Sequence, residues 1–253
     1  MTSGRLANRA VIRVAPTDDS GDAGAFLQGL LTNDVSGDAF GDGPVYAGLL
    51  TPQGKMLFDM FVWPDPSTGS GRAADMLLDC ETDAAEELAK RLSLYRLRRK
   101  LEIAVDPALG VFWSAEAAAG FAPDPRLTAL GYRDVAPAED GEAVDDTYLA
   151  HRLSLGVPEE RAEMGDTLWL ETNAADLNGV SFSKGCYIGQ ENTARMNWRQ
   201  NINRRLVVVP LDRSEEKRRK AAYPELGLAV DHLRVADIPA DLVPDWMTLD
   251  SPR

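Results

Sequence analysis

One segment concentrates the side chains able to do chemistry. Residues 184–191 read Lys184-Gly185-Cys186-Tyr187-Ile188-Gly189-Gln190-Glu191. Cys186 is the candidate reactive group, with Lys184 as its helper. The thiolate is the nucleophilic and metal-binding form of cysteine, and a neighbouring ammonium favours it. Gly185 and Gly189 permit backbone conformations that a Cβ would block, which suits a tight turn around the thiol. A helix opening at Gly189-Gln190-Glu191 would add its amide dipoles to the same effect. Glu191 and Arg195, four residues apart, have the spacing of an ion pair on that helix. The competing reading is that an isolated cysteine acts as a small buried hydrophobe.

The rest of the chain excludes several function classes. Its 253 residues hold two cysteines, Cys80 and Cys186, and two histidines, His151 and His232, all far apart. Neither a disulfide framework nor a metal-ligand spacing emerges, so no metal site is expected. The net charge of -13 makes nucleic acid and anionic membrane poor partners. No stretch approaches the roughly 18 apolar residues of a membrane span. The polar start, Met1 to Arg9, lacks the apolar core of a signal peptide, and a cytoplasmic protein is expected. Charge is unevenly spread: Lys90, Arg91, Arg96, Arg98, Arg99 and Lys100 meet no acid between them. That run is either a solvated helix face or a cradle for an anionic ligand.

The positioning elements follow from periodicity and breakers. Residues 10–15 read as a strand. Asp22 is placed to cap a helix carrying Phe26, Leu27, Leu30 and Leu31, which would end near 31–34 and leave Asn33 and Asp34 in a loop. Residues 44–50 and 55–63 read as a hairpin around Thr51-Pro52-Gln53-Gly54. In its second arm Met56, Phe58, Met60 and Val62 share one face, and Leu57, Asp59, Phe61 and Trp63 the other. Asp59 is then a lone carboxylate on an apolar face, either buried and used or at an edge in solvent. A loop over 64–72 precedes a strand at 75–80. Asp83 and Glu86 have capping-box spacing ahead of a helix with Leu88, Leu92 and Tyr95. Strands at 101–105 and 111–114, a loop at 123–125 and a helix from Asp145 or Asp146 to Leu153 follow. Residues 206–209 and 226–230 are strands, 214–220 a charged loop, and the segment after Ile238 an extended surface tail. Phe112, Trp113, Trp169 and Trp198 default to core. The mixed order gives an α+β class.

The string at 184–191 resembles the signature of YgfZ-type proteins, folate-binding relatives of the glycine-cleavage T-protein (aminomethyltransferase) implicated in assembly or maintenance of iron–sulfur enzymes. Other segments match in order. They are Phe26 to Gly29 with Leu31-Thr32-Asn33-Asp34, Leu50 to Lys55 with Asp59, Tyr95 to Lys100, and Arg152-Leu153 with Gly156-Val157-Pro158 leading to Glu171. The resemblance covers roughly residues 8–209. Within the signature, Ile188 stands where the family often has threonine. The family's terminal β-barrel looks abbreviated here after Pro210.

The resemblance implies a T-protein-like α+β body over 1–205 with a central channel for folate, and a shortened β-barrel-like region over 206–253. It implies tetrahydrofolate or a derivative as cofactor, and iron–sulfur enzymes or cluster-assembly proteins as partners. Glu171 is the expected carboxylate for the pterin edge. Asn33, Asp34 and Asp59 are expected at the channel wall, and Gln190, Glu191 and Arg195, beside the signature turn, are expected to take part in binding the cofactor. Arg96, with Arg98 and Arg99, is placed to receive the anionic glutamate of folate. Cys186 would ligate iron or a cluster transiently, take part in redox exchange, or shape the turn. Two other functions remain open: an aminomethyltransferase or folate-linked demethylase, and a scaffold that no longer binds folate.

Overall fold

A computed structural model describes residues 3–41, 43–65, 68, 74–139, 141–199 and 202–249. Residues 66, 67 and 69–72 of the expected loop lie outside it.

The hairpin is the centre of the molecule. Strands β3 (Val45–Leu50) and β4 (Met56–Asp65) pair antiparallel. They extend into a five-stranded sheet of order β3-β4-β5-β2-β6 with β5 (Asp75–Glu81), β2 (Arg9–Pro16) and β6 (Leu101–Val105). Helices α1 (Ala23–Gln28) and α2 (Thr82–Arg96) bury one face of this sheet around Phe58, Met60 and Val62. The other face of the hairpin packs Tyr46 and Phe61 against Trp169 and the C-terminal strands. Both faces of β3 are thus covered, which is why Val45–Leu50 is apolar throughout.

The second arm alternates as expected only from Phe58 onward. Leu49 pairs with Phe58 but Leu50 pairs with Met56, so Leu57 is an extra residue on β4. The bulge exchanges the two side chains: Leu57 turns toward the helix side and Met56 toward Trp169.

A four-stranded antiparallel sheet, β1-β7-β9-β8, is built from Ser3–Arg5, Leu109–Ser114, Tyr132–Pro137 and Ala122–Pro123. Pro123, the last residue of this sheet's shortest strand, lies in the expected loop at 123–125. Helix α3 (Asp145–Ser154) seals it, with Tyr148 against Trp113. A short helix α4 (Glu160–Met164) and a 3-10 turn at Trp169–Thr172 follow, then α5 (Gln190–Trp198). The last sheet has order β10-β12-β11, formed by Arg204–Pro210, Leu228–Arg234 and Arg219–Tyr223. Its three strands are antiparallel, and the described residues form no closed barrel.

Several local expectations need correction. Helix α1 stops at Gln28, and residues 29–33 form turns instead. The capping box at Asp83 does not form; Glu81 occupies the cap position without a side-chain bond. The charged segment at 214–220 contributes its last two residues to β11: Arg219 pairs with Asp231 of β12, and Lys220 stands at the register shift that follows. The tail is no free surface strand: the Trp246 indole donates to Leu155 O at 2.8 Å, and Met247 is buried. Trp113 and Trp169 are core, whereas Trp198 is 89% exposed.

Candidate functional site

The signature segment is fixed to the rest of the protein by its lysine. Lys184 is buried, and its Nζ donates to three carbonyls: Gln28 at 2.7 Å, Leu31 at 2.6 Å and Asn33 at 2.9 Å. All three lie at or just beyond the C-terminal end of α1, where helical carbonyls lack backbone partners. All three ammonium protons are therefore occupied by backbone. Burial pushes this lysine down to about 8, and the nearby Asp34 opposes that shift. Three carbonyls at these distances also favour the charged form.

The loop after α1 is tied by its own side chains. The Thr32 hydroxyl donates to Gly179 O at 2.7 Å and accepts from Gly48 N at 2.8 Å. Asn33 Nδ2 donates to Tyr46 O at 2.9 Å and to Asn178 O at 2.6 Å. Asp34 accepts from the Ser36 hydroxyl and amide and from Gln28, which together hold it below the usual carboxylate range. Asn33 thus ties this loop to strand β3 and to the segment at 178, while Asp34 closes the loop on itself.

Gly189 places α5 on the hairpin turn. Its φ is +83°, and an added Cβ would lie 2.6 Å from Thr51 O and 3.1 Å from Gly54 Cα. Only glycine fits both constraints. Asn192 Nδ2 reaches Gln53 O at 2.9 Å across the same junction. Gly185 differs from expectation: its φ is not positive and no atom lies within 4 Å of its Cβ position. The turn does not need a glycine there. Cys186 itself is exposed, four residues before α5 begins, while Tyr187 is buried in the core beside Trp169. The hydrophobe reading of Cys186 does not hold; Cys80 fills that role, buried and with its thiol pushed up to about 12 by desolvation.

Helix α5 opens at Gln190 as expected. Gln190 Nε2 points back to Gly185 O at 3.4 Å, and Glu191 pairs with Arg195 at 2.8 Å on the solvent side. Arg96 donates to Leu101 O at 2.6 Å and so closes its own turn between α2 and β6. Arg98 and Arg99 are exposed, with Arg99 stacked over Phe26 at 5.5 Å.

Glu171 sits in the 3-10 turn after Trp169. Its Oε2 is hydrogen-bonded to His232 Nε2 at 2.9 Å. Among the described residues no hydrogen bond is formed to Oε1.

Asp59 is buried, which decides the alternative left open by its sequence position. Desolvation raises it to about 6, Arg9 and Arg126 oppose that, and Glu159 adds to it. The Tyr46 hydroxyl is 3.3 Å from its Oδ2. Beside it lies a feature the sequence did not reveal. Arg9, Arg126 and Arg133 are buried, and each guanidinium lies over the Phe61 ring. Asp79, Asp124 and Glu159 neutralise them, with Tyr148 bridging. Glu159 accepts from Arg126 at 2.5 Å and from Tyr148 at 2.6 Å. The only sequence signal was charge inside strand-like runs, at Asp79 and Arg133.

No protein-family model matches the chain. Curated proteins do. The human mitochondrial iron–sulfur cluster assembly factor IBA57 is 38% identical over 240 residues, covering 81% of this chain and 65% of the relative. Its mouse counterpart is 34% identical over 242 residues, covering 82% and 66%. The Neurospora crassa homologue is 32% identical over 233 residues, covering 80% and 52%. The chain belongs to the YgfZ-type family. It spans about half to two thirds of the length of these curated relatives. Among solved structures, the glycine cleavage system aminomethyltransferase T from Bartonella henselae superposes with a TM-score of 0.61. That match covers 92% of this chain and 78% of the other at 12% identity, which establishes the T-protein fold. The cytoplasmic expectation drawn from the polar N-terminus is overturned: the relatives are mitochondrial proteins by name.

Proposed function

We propose that this YgfZ-type protein is a tetrahydrofolate-binding accessory factor for the assembly or maintenance of iron–sulfur enzymes. The observation that carries the reading is the construction of the signature. An exposed Cys186 stands on a turn anchored by buried Lys184 and by Gly189, on the T-protein fold and in a chain homologous to assembly factors. A solvent-facing thiol on a rigid mount suits transient contact with a partner or its iron cargo.

The residues fit a folate. A pterin presents a donor-rich amino-pyrimidine edge, and Glu171 has one carboxylate oxygen fixed by His232 and, among the described residues, no hydrogen bond to the other. Asn33 is tied to β3, Asp59 lies in β4, Asp34 closes the loop beside them, and Gln190, Glu191 and Arg195 belong to the helix behind the thiol. Bound tetrahydrofolate supplies one-carbon carrier chemistry; the protein's part is to orient the ring and limit water access.

Calorimetry with tetrahydrofolate tests the reading. Micromolar binding is expected for the wild type, weakened at least tenfold in Glu171→Ala, the loss of about one charge-assisted bond. Absence of binding by folded wild-type protein would overturn the folate part.

A further inference from the structure

The end of β4 remote from the hairpin turn opens onto a cleft that shares no residue with the signature, with Glu171 or with the buried arginine cluster. Trp63 of β4 and Leu77 of β5, cross-strand partners, line it from the first sheet. Phe121, just before β8, and Asp134 of β9 line it from the second, and Phe40 from the segment leading into β3. The two sides meet where Gly43 approaches Ala122: a Cβ on that glycine would lie 2.9 Å from the alanine Cβ. The cleft has a volume of about 610 Å³. That falls within the range of small-molecule sites, roughly 300–1,000 Å³.

Its lining is aromatic carbon with one unbalanced charge. The Trp63 indole N–H is buried and has no hydrogen-bond partner, so the part of the ring that lines the cleft is carbon. Phe40, Phe121 and Leu77 likewise offer only carbon. Among the described residues no cation lies over the Phe40, Trp63 or Phe121 ring. The polar side chains of the lining are two carboxylates, and no Lys, Arg or His among the described residues accompanies them. Asp65 is paired with Arg13 at 2.8 Å. Asp134 has no ion-pair partner among the described residues. Side chains alternate along a strand, and the preceding Arg133 faces the buried carboxylates, so Asp134 is turned the other way. It is half-buried, and desolvation raises it above the usual carboxylate range. A lone carboxylate beside aromatic faces is the counterpart of a cation on an apolar body: the carboxylate takes the charge and the rings attract it further. An anion is repelled, so the cleft is no second place for the glutamate of a folate.

We propose that this cleft binds a small organic cation, an ammonium group on an apolar or aromatic body, with the ammonium on Asp134 and the body against Phe40, Trp63 and Phe121. The site is independent of the folate reading.

Three probes of similar shape and different charge test it: 2-phenylethylammonium, 2-phenylethanol and phenylacetate, each titrated into the nitrogen-15-labelled full chain. The indole resonance of Trp63, assigned by triple-resonance correlation, reports occupancy. The ammonium is expected to shift it and to bind at least about tenfold tighter than the alcohol, and phenylacetate to leave it unmoved. Asp134→Asn keeps the shape and should bring ammonium and alcohol to within about twofold of each other. Phe121→Leu keeps apolar bulk and loses the ring, so the ammonium should weaken by about threefold and the alcohol less. Thermal melts check that both variants fold. Equal affinity for ammonium and alcohol in wild type overturns the inference. A preference for the ammonium that survives Asp134→Asn also overturns it, because the cation is then held elsewhere on this acidic surface. So does a Trp63 resonance that none of the probes moves at about 10 mM. Tetrahydrofolate calorimetry on the same variants should match wild type, and failure of either reading leaves the other standing.

Discussion

Replacing Lys184 by methionine keeps the aliphatic stem and removes the ammonium. Three charge-assisted hydrogen bonds, at 2.6, 2.7 and 2.9 Å, disappear together. At about 2 kcal/mol each they amount to about 6 kcal/mol. Relief of the ammonium's desolvation returns about 3 kcal/mol. The net expected destabilisation is about 3 kcal/mol. Because the carbonyls belong to residues 28–33 and the lysine to the signature, the loss should be localised at that junction. Urea unfolding gives the total, and native-state hydrogen exchange gives its place. The Ser181 amide, bonded to Thr32 O at 3.1 Å, should lose protection before the central sheet does. A destabilisation below about 1 kcal/mol, with Ser181 exchange unchanged, would refute the view that this lysine anchors the signature.

Asp59→Asn should stabilise the protein above pH 6. The carboxyl is raised to about 6 in the folded state, so its proton favours folding below about pH 4, and that contribution is lost as pH rises through 6. The asparagine escapes the loss, worth up to about 3 kcal/mol at pH 7.5; urea midpoints that do not diverge between pH 4 and 7.5 would refute it. Glu159→Gln leaves three buried arginines short of an anion, and chemical denaturation should record a loss of about 3–5 kcal/mol. Gly189→Ala combines a φ of +83° with a backbone contact at 2.6 Å and should lower stability by at least about 2 kcal/mol. Gly185→Ala should stay within about 0.5 kcal/mol, and equal melting points for the two would contradict the turn geometry.

Local sequence determined the parts whose cause is local. The β3–β4 hairpin follows from a proline-glycine turn between apolar runs, and the Asp22 cap from a short-range bond to Ala25 N at 2.8 Å. The sequence marked glycines at 185 and 189 alike; only the fold shows that 189 alone needs one, because there φ is positive and the hairpin turn presses on the Cβ position. The signature identified Lys184 and Cys186 as a pair, but their division of labour was not in the string. Only the folded chain shows that Lys184 faces three carbonyls about 150 residues earlier while Cys186 is left to solvent. The same holds for Arg9, Asp79, Asp124, Arg126, Arg133 and Glu159. Each reads as a surface charge, because a charge is buried only when its partner is, and those partners are brought in by separate strands and loops. The cleft at Trp63, Phe121 and Asp134 likewise arises only in the fold: its lining comes from two sheets, and alternation within a strand says which side chains share a face but not what that face meets.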